Sequence, residues 1–351
     1  MFSLEEMLRI TGDLHWAEWL ERVAFNALPT QADDKYETRQ YFQQTNQIEC
    51  SRNTSRNFST PHSDTDQVFG LLNGYPCCTT NMHQGWPKFT QNLWYATDDA
   101  GLAALVYAPS RVTAMVAGGI EACVTEETFY PFNGNIRFTV SFSDKKVKSA
   151  WFPMKFRIPA WCEGAEVKVN GENVSAPCGA GGLVTIRRAW AKGDVVTLEL
   201  PMHVECSRWF DSSAVIERGP LVYALKMNET WTKKQTAASE KVRYGDWYYE
   251  VTSDSPWNFC LSGRTVKAVG ENCTVVRNDV DTSLYPWTLE NAPLSIRIPA
   301  RPMLDWKAFR GSVGQVQYFT QQGGDLGAEQ TIELIPYGCT TLRIAEFPVR
   351  Q

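Results

Sequence analysis

The stretch WFPMKFRIPAWCEGAEVKVNGENV, residues Trp151–Val174, decides the fold. Phe152, Met154, Phe156 and Ile158 recur at every second position, as do Val167 and Val169. That period marks strands with one buried face. The Asn170-Gly171 pair between the last two runs reads as a hairpin turn, because the tightest hairpin turns need residues that accept a positive φ. The same pattern extends in both directions. Upstream lie AALVYAPSRVTAMV, IEACVTEETFY and NIRFTVSFS; downstream lie GLVTIRRAW and DVVTLELPMHVEC. Together they predict a sandwich of about seven or eight strands. Beyond a junction at RWFDSSAVIERGP, a second β series runs through LVYALKM, YYEVTS, FCLSG, TVKAVG, PLSIRIPARPM and TIELIPYGCTTLRIAEFPV. FRIPAW and IRIPAR echo each other in the two series, without a tandem repeat of fixed period.

The N-terminal part is different. Leu4, Met7 and Leu8 have helical spacing, with Ser3 read as N-cap, Glu6 as its capping-box partner and Gly12 as C-cap. Trp16, Trp19, Leu20, Val23 and Ala27 continue as one apolar face, which Pro29 stops. Such faces need further helices to bury them, so association through exposed helical faces is expected. Residues 30–75 are polar and aperiodic; a loop of that length in a compact domain is usually functional or disordered. Phe89, Leu93 and Trp94 predict one more helix from about Pro87 to Ala96.

The chain has 351 residues and a formal charge of −5. It has no basic run, which argues against a nucleic-acid partner. No window of about 18 apolar residues predicts a membrane span. MFSLEEMLRI carries acidic residues where the basic region of a signal peptide belongs. The compartment stays open: cytoplasmic, or periplasmic or secreted if a signal peptide precedes this start. The 13 Trp, 13 Tyr and 17 Phe suit β-sandwich cores and also sugar binding, since aromatic faces stack on C–H-rich sugar surfaces.

The ten cysteines are scattered and include no C-x-x-C pair, so no small disulfide framework is indicated and most are expected to be buried apolar thiols. Cys77 and Cys78 are adjacent, in LNGYPCCTTNMHQGW. Neighbouring cysteines rarely bond to each other, because the small ring strains the peptide. Three readings stand open: two unrelated core thiols, structural zinc ligands, or a catalytic thiolate beside a metal. Zinc favours thiolates and keeps them deprotonated near neutral pH, where a thiolate is a strong nucleophile. Two thiols supply half of a tetrahedral set. His62, His83 and the pair Glu49-Cys50 are the other nearby donors.

Several segments carry a family resemblance. They are PCCTTN; Glu18-x-x-Glu21-Arg22-x-x-Phe25-Asn26 within LRITGDLHWAEWLERVAFNAL; FRIPAWCEGAEVKVNG; VIERGPLVYAL; and LIPYGCTTLRIAEFP. In this order they resemble the C-terminal portion of the β-L-arabinofuranosidases of glycoside hydrolase family 127. The resemblance implies a mainly β chain with N-terminal helices, the remnant of an (α/α)6 barrel followed by two β-sandwich domains. Residues 1–96 would be the barrel remnant, 97–204 the first sandwich and 205–351 the second. It implies a retaining glycoside hydrolase acting on plant-glycan oligosaccharides, with zinc as cofactor. Carried over, Cys77 is the nucleophile and a zinc ligand, and Cys78 is a second ligand. A zinc-activated thiolate would replace the usual carboxylate nucleophile of retaining glycosidases. The family's sugar-contacting tyrosine falls near Tyr41 and Phe42. Its Glu-x-Cys zinc ligands and its acid/base glutamate have no counterpart here, and a general acid is worth about 10²–10⁴ in rate. The expectation is a truncated chain beginning at an internal Met, its activity in isolation an open question. The alternative is a non-catalytic β-sandwich protein that binds carbohydrate or a protein partner; a structural zinc protein is a third reading.

Overall fold

The computed structural model describes residues 1–53, 55, 63–71, 76–174, 179–314, 316 and 325–350. The chain is mainly β and forms two compact units, Met1–Ala24 with Gln84–His203, and Phe25–His83 with Val204–Gln351. The first 96 residues thus divide between both units.

The first unit contains a six-stranded and a four-stranded sheet. The six-stranded sheet is antiparallel throughout, in the order Glu172–Asn173, Glu166–Val169, Val195–Glu199, Asn135–Phe142, Ile120–Thr128, Ser110–Val116. The expected hairpin is present: Asn170 and Gly171 both take positive φ, at 52° and 88°, and Val169 pairs with Glu172. The four-stranded sheet runs Leu183–Ala191, Ser149–Arg157, Leu102–Ala104, Trp94–Ala96. Alternation in sequence becomes alternation in burial. Ile136, Phe138, Val140 and Phe142 are buried on one strand, and Ala150, Phe152, Met154 and Phe156 on another. The sheets meet through Phe138, whose ring centroid lies 4.8 Å from that of Phe156 and 5.6 Å from that of Trp94.

Helix α1 (Phe2–Thr11) ends as expected at Gly12, whose φ of 66° lets its N–H reach the Leu8 carbonyl. Its start differs: Ser3 lies inside the helix and Met1 is the N-cap, with no side-chain cap. Helix α2 (His15–Arg22) runs on as a π-helical turn over Val23–Ala27, so the helical stretch ends just ahead of Pro29 as expected. Its buried side is Ala17, Leu20 and Glu21, while Trp19 is exposed. The apolar-face expectation failed there because a carboxylate with buried partners displaced a tryptophan from the interior. Arg157 makes ion pairs with Glu18 at 2.5 Å and Glu21 at 2.6 Å, and Tyr130 donates its hydroxyl to Glu21 at 2.7 Å. The helix expected over 87–96 is shorter and earlier, α4 at Gly85–Gln91; Trp94 already belongs to a strand.

The second unit is built on an eight-stranded sheet. Its main order is Val204–Arg208, Ala214–Arg218, Leu221–Leu225, Gln330–Pro336, Leu294–Pro302, Phe259–Ser262, Val349–Arg350, with Thr274–Arg277 also paired to Leu294–Pro302. Leu221–Leu225 is buried at every position, as befits a strand covered on both faces. The polar segment before the cysteine pair is held here by two-residue strands: Asn46–Gln47 on Arg343–Ile344, and Phe69–Gly70 on Tyr248–Tyr249. Its glutamines satisfy backbone and one another. Gln40 donates to the Gln67 carbonyl at 2.7 Å, Gln47 to the Thr341 carbonyl at 2.9 Å, and Gln67 to the Gln44 side chain at 2.8 Å. A polar segment can be buried when its amides are paired in this way. No helix among the described residues is long and apolar enough to cross a membrane.

Candidate active site

The cysteine pair opens helix α3 (Pro76–Met82), which belongs to the second unit. Cys77 is exposed and Cys78 half-buried, and neither is in a disulfide. Asn81 donates its side-chain amide to the Cys77 carbonyl at 2.7 Å, and His83 Nδ1 lies 3.1 Å from the Thr79 carbonyl. Both contacts close back onto the short helix, from Asn81 near its C-terminal end and from His83 just past it.

Arg39 approaches from outside the helix. Its backbone exchanges hydrogen bonds with Gly70, at 3.2 and 3.1 Å, which fixes where the side chain starts. Its Nε donates to Thr79 Oγ1 at 2.7 Å, and the residue is buried. Burial pushes the Cys78 thiol up, the Arg39 charge draws it back down, and the Cys77 neighbour raises it again. For Arg39 itself burial lowers the pKa, while the two thiols oppose that. The arrangement therefore combines two adjacent sulfurs, one of them open to solvent, with a fixed cation whose charge opposes, without overcoming, the burial that raises the Cys78 thiol. Arg39 went unremarked in the sequence, where a single arginine in a polar loop carries no signal.

The other sequence candidates are placed as follows. Tyr41 and Phe42 are half-buried, and both backbone N–H groups donate to the Asp66 carbonyl, at 3.2 and 2.8 Å. Cys50 is buried, pairs its backbone with Val251, and accepts from Gln40 Nε2 at 3.2 Å. Glu49 accepts from the Ser51 hydroxyl at 2.9 Å. His62 lies outside the described residues. Among the described residues no group of three or more His, Cys, Asp or Glu is placed to hold a metal ion. As a test of fit for zinc, the donor chemistry of Cys77 and Cys78 is right, and the described residues supply only that half of the set.

Elsewhere in the second unit, a cavity of about 60 Å³ is lined by Asp34, Glu229, Trp231, Trp287 and Glu290 among others. Burial, then Glu229 and Glu290, push the Asp34 carboxyl up to about 6. The space is on the scale of a few water molecules. Glu229 has a structural task there, accepting from the Thr341 and Leu342 N–H groups at 2.7 and 2.9 Å.

Residues 101–202 match the family model described as the middle domain of the GH127 β-L-arabinofuranosidases. That segment is most of the first unit's two sheets, so the resemblance read from the motifs and the family-model match agree. No curated protein matches the sequence. Among solved structures, the chain is similar to a GH127 β-L-arabinofuranosidase from Geobacillus stearothermophilus T6, at 20% identity and a TM-score of 0.65, covering 99% of this chain and 48% of that one. It is similar to a structure titled glycoside hydrolase, at 22% identity and a TM-score of 0.65, covering 98% and 50%. A further GH127 β-arabinofuranosidase has 17% identity and a TM-score of 0.66, covering 99% and 48%. At these identities the likeness is one of fold, and the chain spans about half the length of each of these proteins.

Proposed function

We propose that this chain carries the cysteine half of a retaining glycoside-hydrolase site of the β-L-arabinofuranosidase type. In this reading residues 1–96 correspond to part of an (α/α)6 barrel, and 97–204 and 205–351 to two β-sandwich domains. Cys77, the more exposed sulfur, is the nucleophile toward the anomeric carbon of an arabinofuranoside in a plant-glycan oligosaccharide. Cys78, half-buried beside it, is a metal donor. Tyr41 and Phe42 are the assigned sugar contacts. Zinc, when bound, would hold both sulfurs as thiolates and so lower the cost of deprotonation. Arg39 would hold helix α3 in place through Thr79 and add a second positive charge near the sulfurs. The observation that carries the reading is the adjacency of two thiols at the start of α3, with the Arg39 side chain anchored on the same helix. The middle-domain match supports its carbohydrate side.

The test is elemental analysis of the purified chain, with hydrolysis of an aryl β-L-arabinofuranoside measured in parallel. The expected result is zinc that is lost in the Cys77→Ser/Cys78→Ser variant, and hydrolysis that Cys77→Ser abolishes. Wild-type chain without zinc would refute the metal assignment. The lack of a third metal donor among the described residues favours a second reading. That reading is a non-catalytic carbohydrate-binding or interaction protein, whose exposed Phe2, Met7, Ile10 and Trp19 would meet a protein partner.

A further inference from the structure

The outer face of the first unit's four-stranded sheet carries an aromatic side chain that the surrounding register leaves uncovered. Trp151 is 57% exposed. Directly across the ladder stands Ala189, and the next pair beyond it on the same face is Ser149 with Ala191. Neither alanine nor serine is large enough to cover an indole. On the opposite side the neighbouring strand Leu102–Ala104 begins its pairing only at Met154, so no strand residue flanks Trp151 there. Farther along the same face the ladder reaches Arg157, where Glu18 and Glu21 of helix α2 cover the sheet. The Trp151 end is left open.

Polar groups stand beside the ring on the same face. In the pair next to Trp151, Arg187 lies across from Pro153, and Lys155 follows on the Trp151 strand. Asp99 joins them from the turn before Leu102, at 3.2 Å from Lys155 Nζ and 3.7 Å from Arg187 Nη2. Lys155 and the Thr97 hydroxyl both favour the Asp99 carboxylate, with the hydroxyl the stronger influence. The result is a planar aromatic surface bordered by a guanidinium and a carboxylate held in register by a sheet.

We propose that this face is a glycan-binding platform, in which Trp151 stacks on the C–H face of a neutral sugar ring while Arg187 and Asp99 bond its hydroxyls. The two kinds of group match the two kinds of surface a sugar presents. The apolar ring face takes the indole. The hydroxyls at the ring edge, each both donor and acceptor, take a guanidinium that only donates and a carboxylate that only accepts. The site is separate from the cysteine pair, which lies in the second unit, and only the choice of probe rests on the proposed function.

The experiment is native electrophoresis of the whole chain in gels cast with soluble arabinan. The wild type is expected to be retarded, and Met115→Ala, at an exposed position on the six-stranded sheet, to be retarded equally. Trp151→Ala should bind at least about tenfold more weakly, the order expected for truncating an aromatic anchor, and Trp151→Phe should recover part of the loss. Arg187→Ala should weaken binding less. All these positions are at the surface, and unchanged thermal melting would confirm that the variants fold. Migration of wild type unaffected by arabinan overturns the proposal, as does undiminished retardation of Trp151→Ala. Retardation by arabinan in a chain that leaves the aryl β-L-arabinofuranoside unhydrolysed would sink the catalytic reading alone and leave the platform standing.

Discussion

Glu126 lies on the strand Ile120–Thr128 with its side chain inside the first unit. It accepts from the Ala108 N–H at 3.1 Å and the Ser110 hydroxyl at 2.9 Å. Those bonds favour the carboxylate, but burial outweighs them and pushes the group from 4.5 up to about 8. The folded chain therefore keeps a proton that the unfolded chain gives up at lower pH. Across the interval between those values, stability falls as pH rises, and the contribution is gone above about 8. Glu126→Gln removes the titration while keeping one acceptor and gaining a donor. Its melting temperature relative to wild type should rise steadily between about pH 5 and pH 8; melting curves with a constant offset at every pH would contradict the assignment. Legibility at this scale follows how far apart the partners are. Cys77 and Cys78 announce themselves because adjacency is itself a sequence feature. Arg39 does not, because it meets Thr79 across forty residues of chain. Trp151 was one of thirteen tryptophans until the ladder register showed what stood beside it.

Helix α2 shows how one ion-pair cluster decides which face of an element turns inward. Arg157 is wholly buried, and both its carboxylate partners come from α2. Truncating one member of a buried pair leaves the other charge without compensation, at a typical cost of about 3–5 kcal/mol. Arg157→Leu should lower unfolding stability by that order, read from the shift in urea midpoint. Adding Glu21→Leu should return part of it, because no uncompensated carboxylate then remains in the interior. An Arg157→Leu chain as stable as wild type would mean that the cluster is incidental to the docking of α2. The same cluster explains why helical periodicity was only half informative. Spacing correctly located both helices and the Gly12 terminus, since those depend on local geometry. It misassigned the buried face, since Glu21 is drawn inward by an arginine far along the chain. The strands were the more legible elements, because alternation such as that of Ile136, Phe138, Val140 and Phe142 is set by burial against a single neighbouring layer.

At the scale of the whole chain, the polar segment ahead of the cysteine pair depends on residues that follow it by hundreds of positions. Asn46–Gln47 pairs with Arg343–Ile344, the Cys50 backbone with Val251, and Phe69–Gly70 with Tyr248–Tyr249. Gln47 reaches the Thr341 carbonyl, and Asn46 the Glu346 carbonyl. Pairings two residues long have no periodicity, so the sequence showed only a long polar loop. A chain cut after His203 keeps both sheets of the first unit intact, since their strands all lie within Trp94–Glu199. It loses every long-range partner just named. Local opening then costs little where backbone hydrogen bonds and buried contacts are few. Limited proteolysis of residues 1–203 should therefore cleave rapidly between residues 30 and 75 while the β region resists, whereas the full chain should lose that preference. Equal cleavage rates in the two chains would show that the segment is held by its own contacts. The cysteine helix follows directly behind it, and Arg39 is anchored on Gly70. The truncated chain should accordingly also show Cys77 and Cys78 alkylating at the rate of unstructured thiols, so that one experiment reports on both the segment and the site it supports.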